Sequence, residues 1–437
     1  YNLLTGAGFK VNKFSDYIEK QNIKKINDLN FDNLSLQQLR DFNQEDIKLG
    51  EHAYSGTLRY FAKTKIDDEP YGKKLLCEYL KSSLITKEVV ENLFKKNFFD
   101  RVILNHGIYV PQGTIVDVAK KNKIQISTWC PGYRKNSFCI TNGDTYHRAL
   151  IYESNSNWEN VKLTPEINNL ITTYLESRQT GTNDWIHFYK DKPNFNVDDY
   201  FDQINIDKKK PIIGMATSVL WDAQIDFPSN FYSDPLEWVF DTIDFFVKNK
   251  NLQLIIRISP AEVNIDKPAR QKVFDEIKKR YSEIPNNIYI IKPEDPISSY
   301  AVLEKCEHII IYGSRIGIEL AAKGKKIIVC GEGFIRNKEI ALDVQSREEY
   351  IKILSEISNN SLPFREVDIE RAKKYAYHFF FRRMFEFKVI KERKGKWPNF
   401  TYSNDISDLI SEKKDPSLEL TVNSIINDKD FILEKYR

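Results

Sequence analysis

Residues 308–330 read HIIIYGSRIGIELAAKGKKIIVC. An apolar run over 308–312 comes first, followed by a turn at Gly313, a helical spacing over 316–323 and a second apolar run over 326–330. Short apolar runs bounded by turn residues are typical of buried parallel strands, which need a crossover such as a helix between them. This stretch therefore predicts a strand–helix–strand unit of a parallel sheet.

Further strands and helices alternate on both sides of this unit. The sequence predicts strands over 211–215, 252–258 and 288–291 and helices over 236–247, 267–281 and 297–305. Alternation with such short connections is the pattern of a doubly wound, Rossmann-like α/β domain.

The first half of the chain contains a second unit of the same kind. A strand over 101–104, a helix over 111–121 and a strand over 124–129 follow a mainly helical region at 1–95. Residues 190–210 are polar and predict an interdomain linker.

The chain is long enough for more than one core, since it has 437 residues. We therefore expect an α/β protein with domains at 1–205 and 206–370. Residues 366–394 predict long helices rich in aromatic and basic groups, so residues 371–437 are expected to pack as helices back across both domains.

Charge and composition exclude several classes of protein. Lys and Arg number 65 and Asp and Glu 62, a net charge of +3, whereas nucleic-acid-binding domains usually carry a strong basic excess. No run of about 18 apolar residues predicts a membrane-spanning helix. The five cysteines form no CxxC pair, so we expect neither a zinc site nor a disulfide framework, and we expect a cytoplasmic location.

Ligands of open parallel sheets bind beyond the carboxyl ends of the strands, so the residues after each strand are candidates for a site. Arg257, Ser259 and Glu262 end or follow the second strand of the later domain. The planar guanidinium of Arg257 suits a phosphate or a sugar carboxylate, and the alternative is an Arg257–Glu262 pair that holds the loop. Ser298 and Ser299 follow the next strand, in a loop that either reads the edge of a base or has a structural role.

The turn after the strand at 308–312 has the features of a phosphate site. Ser314 stands at the expected N-cap of the next helix, where free backbone N–H groups and the helix dipole favour an anion. Arg315 lies beside it, Gly317 permits a close approach of the backbone, and Glu319 is placed to accept the hydroxyls of a ribose. The alternative is an ordinary capped helix with a carboxylate on its face.

Two residues are candidates for catalysis. Asp222 lies in the loop that opens on the predicted interdomain cleft, and its carboxylate suits a nucleophile or a general base. The alternative is a turn aspartate that bonds its own backbone. His106 ends the strand at 101–104 and is either a general base, an acceptor ligand or a structural histidine. The histidines show no metal-ligand spacing, so no metal site is predicted.

Several of these turns together resemble motifs of the capsule polysaccharide biosynthesis proteins, a broad group that includes Kdo transferases of the GT-B architecture. The resemblance is carried by VLWDA at 219–223, IRISPAE at 256–262, ISSY at 297–300, YGSRIGIE at 312–319 and GEGF at 331–334. It covers residues 211–345, and the first half of the chain only loosely. The family usually has a histidine at the position of Ser259 that would contact the donor phosphate, and a serine retains one donor there.

This resemblance implies two Rossmann-like domains that face a cleft, with the nucleotide donor on the second domain and the acceptor on the first. Kdo-type members imply a CMP-linked acidic sugar, whose single phosphate often needs no metal, so no cofactor is expected. The predicted function is the transfer of a sugar from a nucleotide donor to a bacterial capsule or lipopolysaccharide glycan. The expected place is the cytoplasm, at the inner membrane face or with the capsule machinery.

Two alternatives to this function stay open. A CDP-glycerol-type polyol-phosphate transferase has a related GT-B shape and forms a product that contains phosphorus. A non-catalytic protein of the capsule assembly machinery binds a nucleotide sugar without turning it over. The stereochemistry is also open, because Asp222 would be the nucleophile of a retaining enzyme, whereas a carboxylate or His106 would be the base of an inverting one.

Overall fold

The computed structural model describes residues 5–6, 8–185, 188, 192–223, 225, 227–265, 267–363, 366–392, 400–402 and 415–434. Two α/β domains, each built on its own sheet, lie on either side of a cleft, and the C-terminal residues return to the first domain.

The first domain begins with helices that enclose their own apolar core. Its helices are α1 (Lys20–Asn27), α2 (Leu36–Arg40), α3 (Leu49–Phe61), α4 (Gly72–Lys96), α5 (Gln112–Lys121), α6 (Tyr146–Ile151) and α7 (Pro165–Ser177), and α8 (Val197–Gln203) then leads to the second domain. Its strands are β1 (Arg101–Asn105), β2 (Gln125–Pro131) and β3 (Ser137–Asn142), and short 3₁₀ turns occupy Phe14–Asp16 and Asn155–Asn157.

The sheet of the first domain is mixed, which differs from the Rossmann-like prediction. Strands β1 and β2 are parallel, as expected from the helix between them, but β2 and β3 are antiparallel. The reason is the short connection at 132–136, because a parallel pair needs a crossover of a dozen residues or more. The amide of Gly132 donates to the carbonyl oxygen of Ser137 at 2.8 Å and begins this hairpin.

The second domain is built from alternating strands and helices. Its strands are β4 (Ile212–Ala216), β5 (Gln253–Arg257), β6 (Ile288–Ile291), β7 (His308–Ile311), β8 (Lys326–Val329) and β9 (Leu342–Asp343). Its helices are α9 (Pro235–Lys248), α10 (Val273–Arg280), α11 (Ser299–Glu304), α12 (Ile316–Ala321) and α13 (Arg347–Ser358), with a 3₁₀ turn at Pro260–Glu262.

All six strands of this sheet are parallel, in the order β6-β5-β4-β7-β8-β9. This is the doubly wound Rossmann order, so the predicted fold class of the second domain is confirmed. Alternate side chains of β7 enter different cores, with Ile309 and Ile311 on one face and Ile310 on the other. Burial on both faces is why the strands read as continuous apolar runs.

Two of the predicted segments differ from the structure. The expected linker at 190–210 contains α8, which Asn196 caps through its side chain and whose Val197 and Phe201 are buried. The helix expected over 267–281 begins only at Val273, because the amides of Ala269 and Arg270 donate to Glu262 and Ala62 instead.

The C-terminal residues form strands as well as helices, which differs from the prediction of helices over 371–437. Helix α14 (Ile369–Tyr377) continues as a π-helical turn at His378–Arg382, and the chain then forms β10 (Met384–Glu386), β11 (Ile390–Glu392), β12 (Phe400–Tyr402) and α15 (Pro416–Asn427).

Strand β10 pairs antiparallel with β3 and completes the first sheet. Arg134 holds this return in place, since it donates to the carbonyl oxygens of Phe380 and Met384, both at 2.8 Å. Aromatic residues of this segment share one core with residues of both domains, including Cys130 and Ile311. The C-terminal segment therefore crosses both domains, as a helix followed by a strand.

Within the described residues, no helix is both long and apolar enough to cross a bilayer.

Candidate functional site

A cavity of about 370 Å³ lies between the domains, at the carboxyl ends of the strands of the second sheet. The second domain contributes the loops that follow β4, β5, β7 and β8. The first domain contributes side chains such as Tyr133, His147, Arg178 and Asp184. The cavity is therefore built by both domains.

The predicted site residues divide into two groups in the structure. The cavity wall contains Asp222, Arg257, Ser259, Ser299, Ser314, Arg315 and Glu319. Outside the wall lie His106, Glu262, Ser298 and Gly317.

Asp222 is held by two side chains of the first domain. Its Oδ1 accepts from Arg59 Nη1 at 2.6 Å and from the hydroxyl of Tyr109 at 2.9 Å. The guanidinium of Arg59 also lies over the rings of Tyr109 and Trp221, at 4.9 and 5.7 Å from the ring centres. Both Arg59 and Asp222 are about half exposed, at 48% and 50%. Asp222 thus bridges the domains at the edge of the cavity.

Arg315 is a cation of the cavity wall without an ion pair to any described residue. Its guanidinium stacks on the ring of Tyr133 at 3.7 Å from the ring centre and lies 5.8 Å from that of Phe188. Aromatic faces hold an arginine in position while its N–H groups stay directed outward. Arg315 is therefore preorganised to bind an anion in the cavity.

The backbone beside Arg315 is tightly packed. A Cβ on Gly313 would lie 2.0 Å from the carbonyl oxygen of Glu332, and one on Gly333 would lie 2.9 Å from the Cα of Gly313. The loops after β7 and β8 therefore pack backbone against backbone, which only glycine allows.

Ser314 does not cap α12, contrary to the prediction. The helix begins one residue later with Arg315 at the N-cap, and no side chain caps it. The first backbone hydrogen bonds run from Gly317 to Ser314 and from Ile318 to Arg315. The amides before Gly317 have no acceptor within the helix and are available to a ligand.

Arg257 holds a loop rather than an open phosphate site. Its Nε donates to Ser299 Oγ at 2.8 Å, and its other nitrogens donate to the carbonyl oxygens of Lys292, Asp295 and Ile297. The residue is buried, at 1% exposure. The predicted pair with Glu262 does not form, because the arginine is used to order residues 292–299.

The hydroxyls of Ser298 and Ser259 also make hydrogen bonds within the protein. Ser298 caps α11, with its hydroxyl accepting from the amide of Ala301 at 3.3 Å. The Ser259 hydroxyl accepts from the amide of Ala261 at 3.3 Å, and its own amide donates to Thr217. Of these two, only Ser259 lines the cavity.

Glu262 supports the fold below the cavity. One of its oxygens accepts from the amide of Val273 at 3.0 Å, which starts α10, and the other is buried without a hydrogen-bond partner. Burial raises the pKa of the Glu262 carboxyl to about 7. We therefore assign Glu262 to the fold and not to the donor.

Glu319 pairs with a residue of the first domain. Its carboxylate lies 2.8 Å from Arg178 Nε, and both side chains are buried. Arg178 also donates to Asp184 at 2.6 Å. Gly317, two residues earlier, faces the core, where a Cβ would lie 2.5 Å from the side chain of Ile311. These contacts assign Glu319 and Gly317 to structure, although the carboxylate of Glu319 also lines the cavity.

Two histidines lie near the cavity. His106 has a left-handed backbone, with φ of 56°, and burial lowers the pKa of its imidazole. His147, which the sequence did not single out, lies in the cavity wall, and burial lowers the pKa of its imidazole to about 3. Both imidazoles are therefore neutral at pH 7 and have a buried Nδ1 without a partner.

Metal ligands do not cluster in the described part of the chain, where no group of three or more His, Cys, Asp or Glu lies together.

Four residues of the first domain that contact Asp222 or line the cavity were not predicted from the sequence: Arg59, Tyr109, Tyr133 and Arg178. Only Tyr109 had a local signal, since it follows His106 by three residues in the run HGIYVPQG at 106–113. The others lie on helices or loops whose spacing shows no link to the second domain.

The fold and the site together define a two-domain α/β protein of the GT-B type with a ligand cavity between its domains. No protein-family model matches the chain, and no curated protein matches it in sequence.

Solved structures with a similar fold include two from Thermosulfurimonas dismutans. One is KpsC, beta Kdo 2,4 transferase, with 11% identity, a TM-score of 0.40 and coverage of 64% of this chain and 79% of that one. The other is KpsC, beta Kdo 2,7 transferase, with 14% identity, a TM-score of 0.38 and coverage of 74% and 89%. A UDP-GlcNAc 2-epimerase from Neisseria meningitidis bound to UDP-GlcNAc has 12% identity, a TM-score of 0.31 and coverage of 77% and 81%.

Proposed function

We propose that this chain is a glycosyltransferase that moves a sugar from a nucleotide donor to a glycan in the cavity between its domains. One observation carries the proposal: the cavity places the carboxylate Asp222 in the same wall as Arg315, a cation that has no ion pair with any described residue. Transfer of a sugar from a nucleotide needs a cation for the phosphate that leaves and a base or nucleophile at the reacting carbon.

Arg315 binds the donor phosphate in this proposal. Its guanidinium is stacked on Tyr133 and has no ion pair among the described residues, so an incoming phosphate displaces none of their carboxylates. The free amides at the start of α12 lie next to it in the chain and add hydrogen bonds to the same anion. Charge that develops on the leaving phosphate is stabilised by donors already in place.

Asp222 acts on the sugar or on the acceptor. Its carboxylate is oriented by Arg59 and Tyr109, and it faces the cavity from the second domain. In a retaining reaction it attacks the anomeric carbon, and in an inverting one it takes the proton of the acceptor hydroxyl. His106 is the alternative base, since burial keeps its imidazole neutral, but it lies outside the cavity wall.

The donor we favour is a CMP-linked acidic sugar such as Kdo, and the acceptor a bacterial capsule or lipopolysaccharide glycan. The motif resemblance supports both choices, and the phosphate of such a donor suits Arg315, which has no ion pair among the described residues of the wall. We propose that the reaction takes place in the cytoplasm and needs no metal, so that EDTA leaves the rate unchanged.

The first experiment is a thermal-shift panel with CMP, CDP, UDP, GDP and ADP, each without and with Mg²⁺. A ligand that binds only the native state raises the melting temperature. A shift selective for CMP supports the proposed donor. A shift with UDP or GDP keeps the transferase and changes the donor, and a shift with none overturns the proposal.

The second experiment separates transfer from binding. Asp222→Asn should keep the nucleotide-induced shift and lose turnover of the matching nucleotide sugar by about a hundredfold or more. A product that contains phosphorus from the donor would instead indicate a polyol-phosphate transferase. Unchanged turnover in Asp222→Asn would remove Asp222 from the mechanism.

A further inference from the structure

Asp222 and residues around it occupy every hydrogen-bonding position of the Tyr109 hydroxyl. It donates to Asp222 Oδ1 at 2.9 Å and accepts from the backbone amide of Ala223 and from Arg59 Nη1, both at 3.0 Å. A phenol hydroxyl has one proton to donate and two lone pairs to accept with. All three are occupied here, and two of the partners belong to the other domain.

The two residues that the Tyr109–Ala223 hydrogen bond joins both have an unusual backbone conformation. Tyr109 has φ of 64° and Ala223 has φ of 51°, in the left-handed region that residues with a Cβ seldom adopt. His106 and Gly107, in the same loop as Tyr109, also have positive φ. Such conformations persist where the surroundings enforce them, and they cluster at functional sites.

We infer that Tyr109 is a positioning residue: its hydroxyl, together with Arg59, fixes the carboxylate of Asp222 for the reaction, across the interdomain cleft. The inference rests on the proposed function, in which Asp222 reacts with the sugar or the acceptor. Tyr109 and Arg59 belong to the first domain, and Asp222 and Ala223 to the second, so opening of the cleft breaks the contacts of both residues with Asp222 and that of Tyr109 with Ala223.

The strength of these contacts suits a reversible arrangement. The side chains of Arg59 and Asp222 are 48% and 50% exposed, and exposed ion pairs contribute little to stability. The pair of Arg178 and Glu319 joins the same two domains with both side chains buried. The contacts of Arg59 and Tyr109 with Asp222 therefore hold its carboxylate at small cost to the stability of the fold.

The test of positioning is Tyr109→Phe, which removes the hydroxyl and keeps the ring beneath Arg59. With CMP-Kdo as the donor, kcat should fall about 10- to 100-fold, the effect of losing a hydrogen bond to a charged group, while the donor KM stays within about twofold. Tyr289→Phe is the matched control, since its hydroxyl also donates a hydrogen bond, to the carbonyl oxygen of Asn205, but lies outside the cavity wall.

A double-mutant cycle shows whether Tyr109 acts through Asp222. In the Asp222→Ala background, Tyr109→Phe should cause no further loss of kcat, because the carboxylate that it positions is gone. Two losses that multiply would overturn the inference, and so would a kcat of Tyr109→Phe within twofold of the wild type.

An NMR measurement separates this inference from the proposed function. The ¹³Cζ signal of Tyr109 in tyrosine-labelled protein, assigned with Tyr109→Phe, should move in both Asp222→Ala and Arg59→Gln. It should not move in Asp241→Ala, which removes the partner of a different tyrosine, Tyr232. A wild type that turns over no nucleotide sugar refutes the proposed function, whereas an unmoved Tyr109 signal refutes the inference.

Discussion

The guanidinium of Arg178, in the first domain, lies 2.8 Å from the carboxylate of Glu319, in the second, and their side chains are only 5% and 2% exposed. Arg178 also bonds Asp184 and the hydroxyl of Tyr174 within its own domain. A charge this deeply buried is tolerated only with its partners. The pair therefore links the two domains at the wall of the cavity.

Removal of one partner of this pair should be costly. Glu319→Ala leaves part of the charge of Arg178 buried and uncompensated, so we expect a loss of about 3 kcal/mol in the free energy of unfolding by urea. Lys305→Ala removes an exposed ion pair with Asp198 and should cost less than about 1 kcal/mol. Equal losses in the two variants would show that the buried pair has no special role.

Arg315→Ala should weaken nucleotide binding without affecting the fold. The side chain is stacked on Tyr133 at the cavity wall, and loss of a charged hydrogen bond to phosphate corresponds to about 10- to 100-fold in Kd. Calorimetric titration with the nucleotide that the thermal-shift panel selects measures this change. Arg347→Ala, which removes an exposed arginine paired with Asp241, is the control and should bind as the wild type does. Equal affinities in all three proteins would exclude Arg315 from the site.

The buried carboxyl of Glu262 should make stability depend on pH. Burial raises its pKa to about 7 in the folded protein from 4.5, so the folded state binds the proton more tightly than the unfolded chain. The stabilisation is complete below pH 4.5 and is lost as the pH rises through 7.

Glu262→Gln removes this titrating carboxyl, and all other titrating groups are the same in the variant and the wild type. The difference in unfolding free energy should therefore move in favour of the variant, by on the order of 3 kcal/mol, between pH 4.5 and 8. Urea unfolding at several pH values measures it. A difference that stays constant would show that the carboxyl is already ionised in the folded protein at low pH.

Gly313→Ala should disturb the part of the cavity wall that the loops after β7 and β8 form. The new Cβ would lie 2.0 Å from the carbonyl oxygen of Glu332, and a backbone atom gives way poorly, so we expect a loss of about 1–3 kcal/mol together with weaker nucleotide binding. Gly143→Ala is the comparison, because Gly143 has φ of 82° but no atom within 4 Å of an added Cβ. That variant should lose stability and keep its affinity. Normal affinity in Gly313→Ala would mean that this part of the cavity wall does not contact the nucleotide.

The second domain could be predicted from the sequence in detail. Each of its longer strands is buried on both faces and therefore appears as an apolar run, as in Ile309, Ile310 and Ile311. The first domain was less predictable, since β10 consists of three residues that follow a helix and pair with β3 across more than two hundred residues of chain. No local periodicity reports such a pairing.

The candidate site, too, could be predicted only in part from the sequence. The rule for parallel sheets placed Asp222, Ser259 and Arg315 at the cavity, because the carboxyl ends of the strands share one edge. It did not distinguish Arg315, which has no ion pair among the described residues, from Arg257, which binds carbonyl oxygens of its own loop. Residue type alone does not say whether an arginine is already paired.

The parallel sheet, the edge of it at which the cavity lies and the carboxylate that faces the cleft could be predicted from the residues, since each follows from spacing along the chain. Which side chains of the first domain meet that carboxylate follows from the tertiary structure alone. Arg59 and Asp222 are 163 residues apart, and their contact depends on how two separately folded sheets pack together. The physical reason is that local periodicity records whether a face is buried, whereas packing between domains selects the neighbour that buries it.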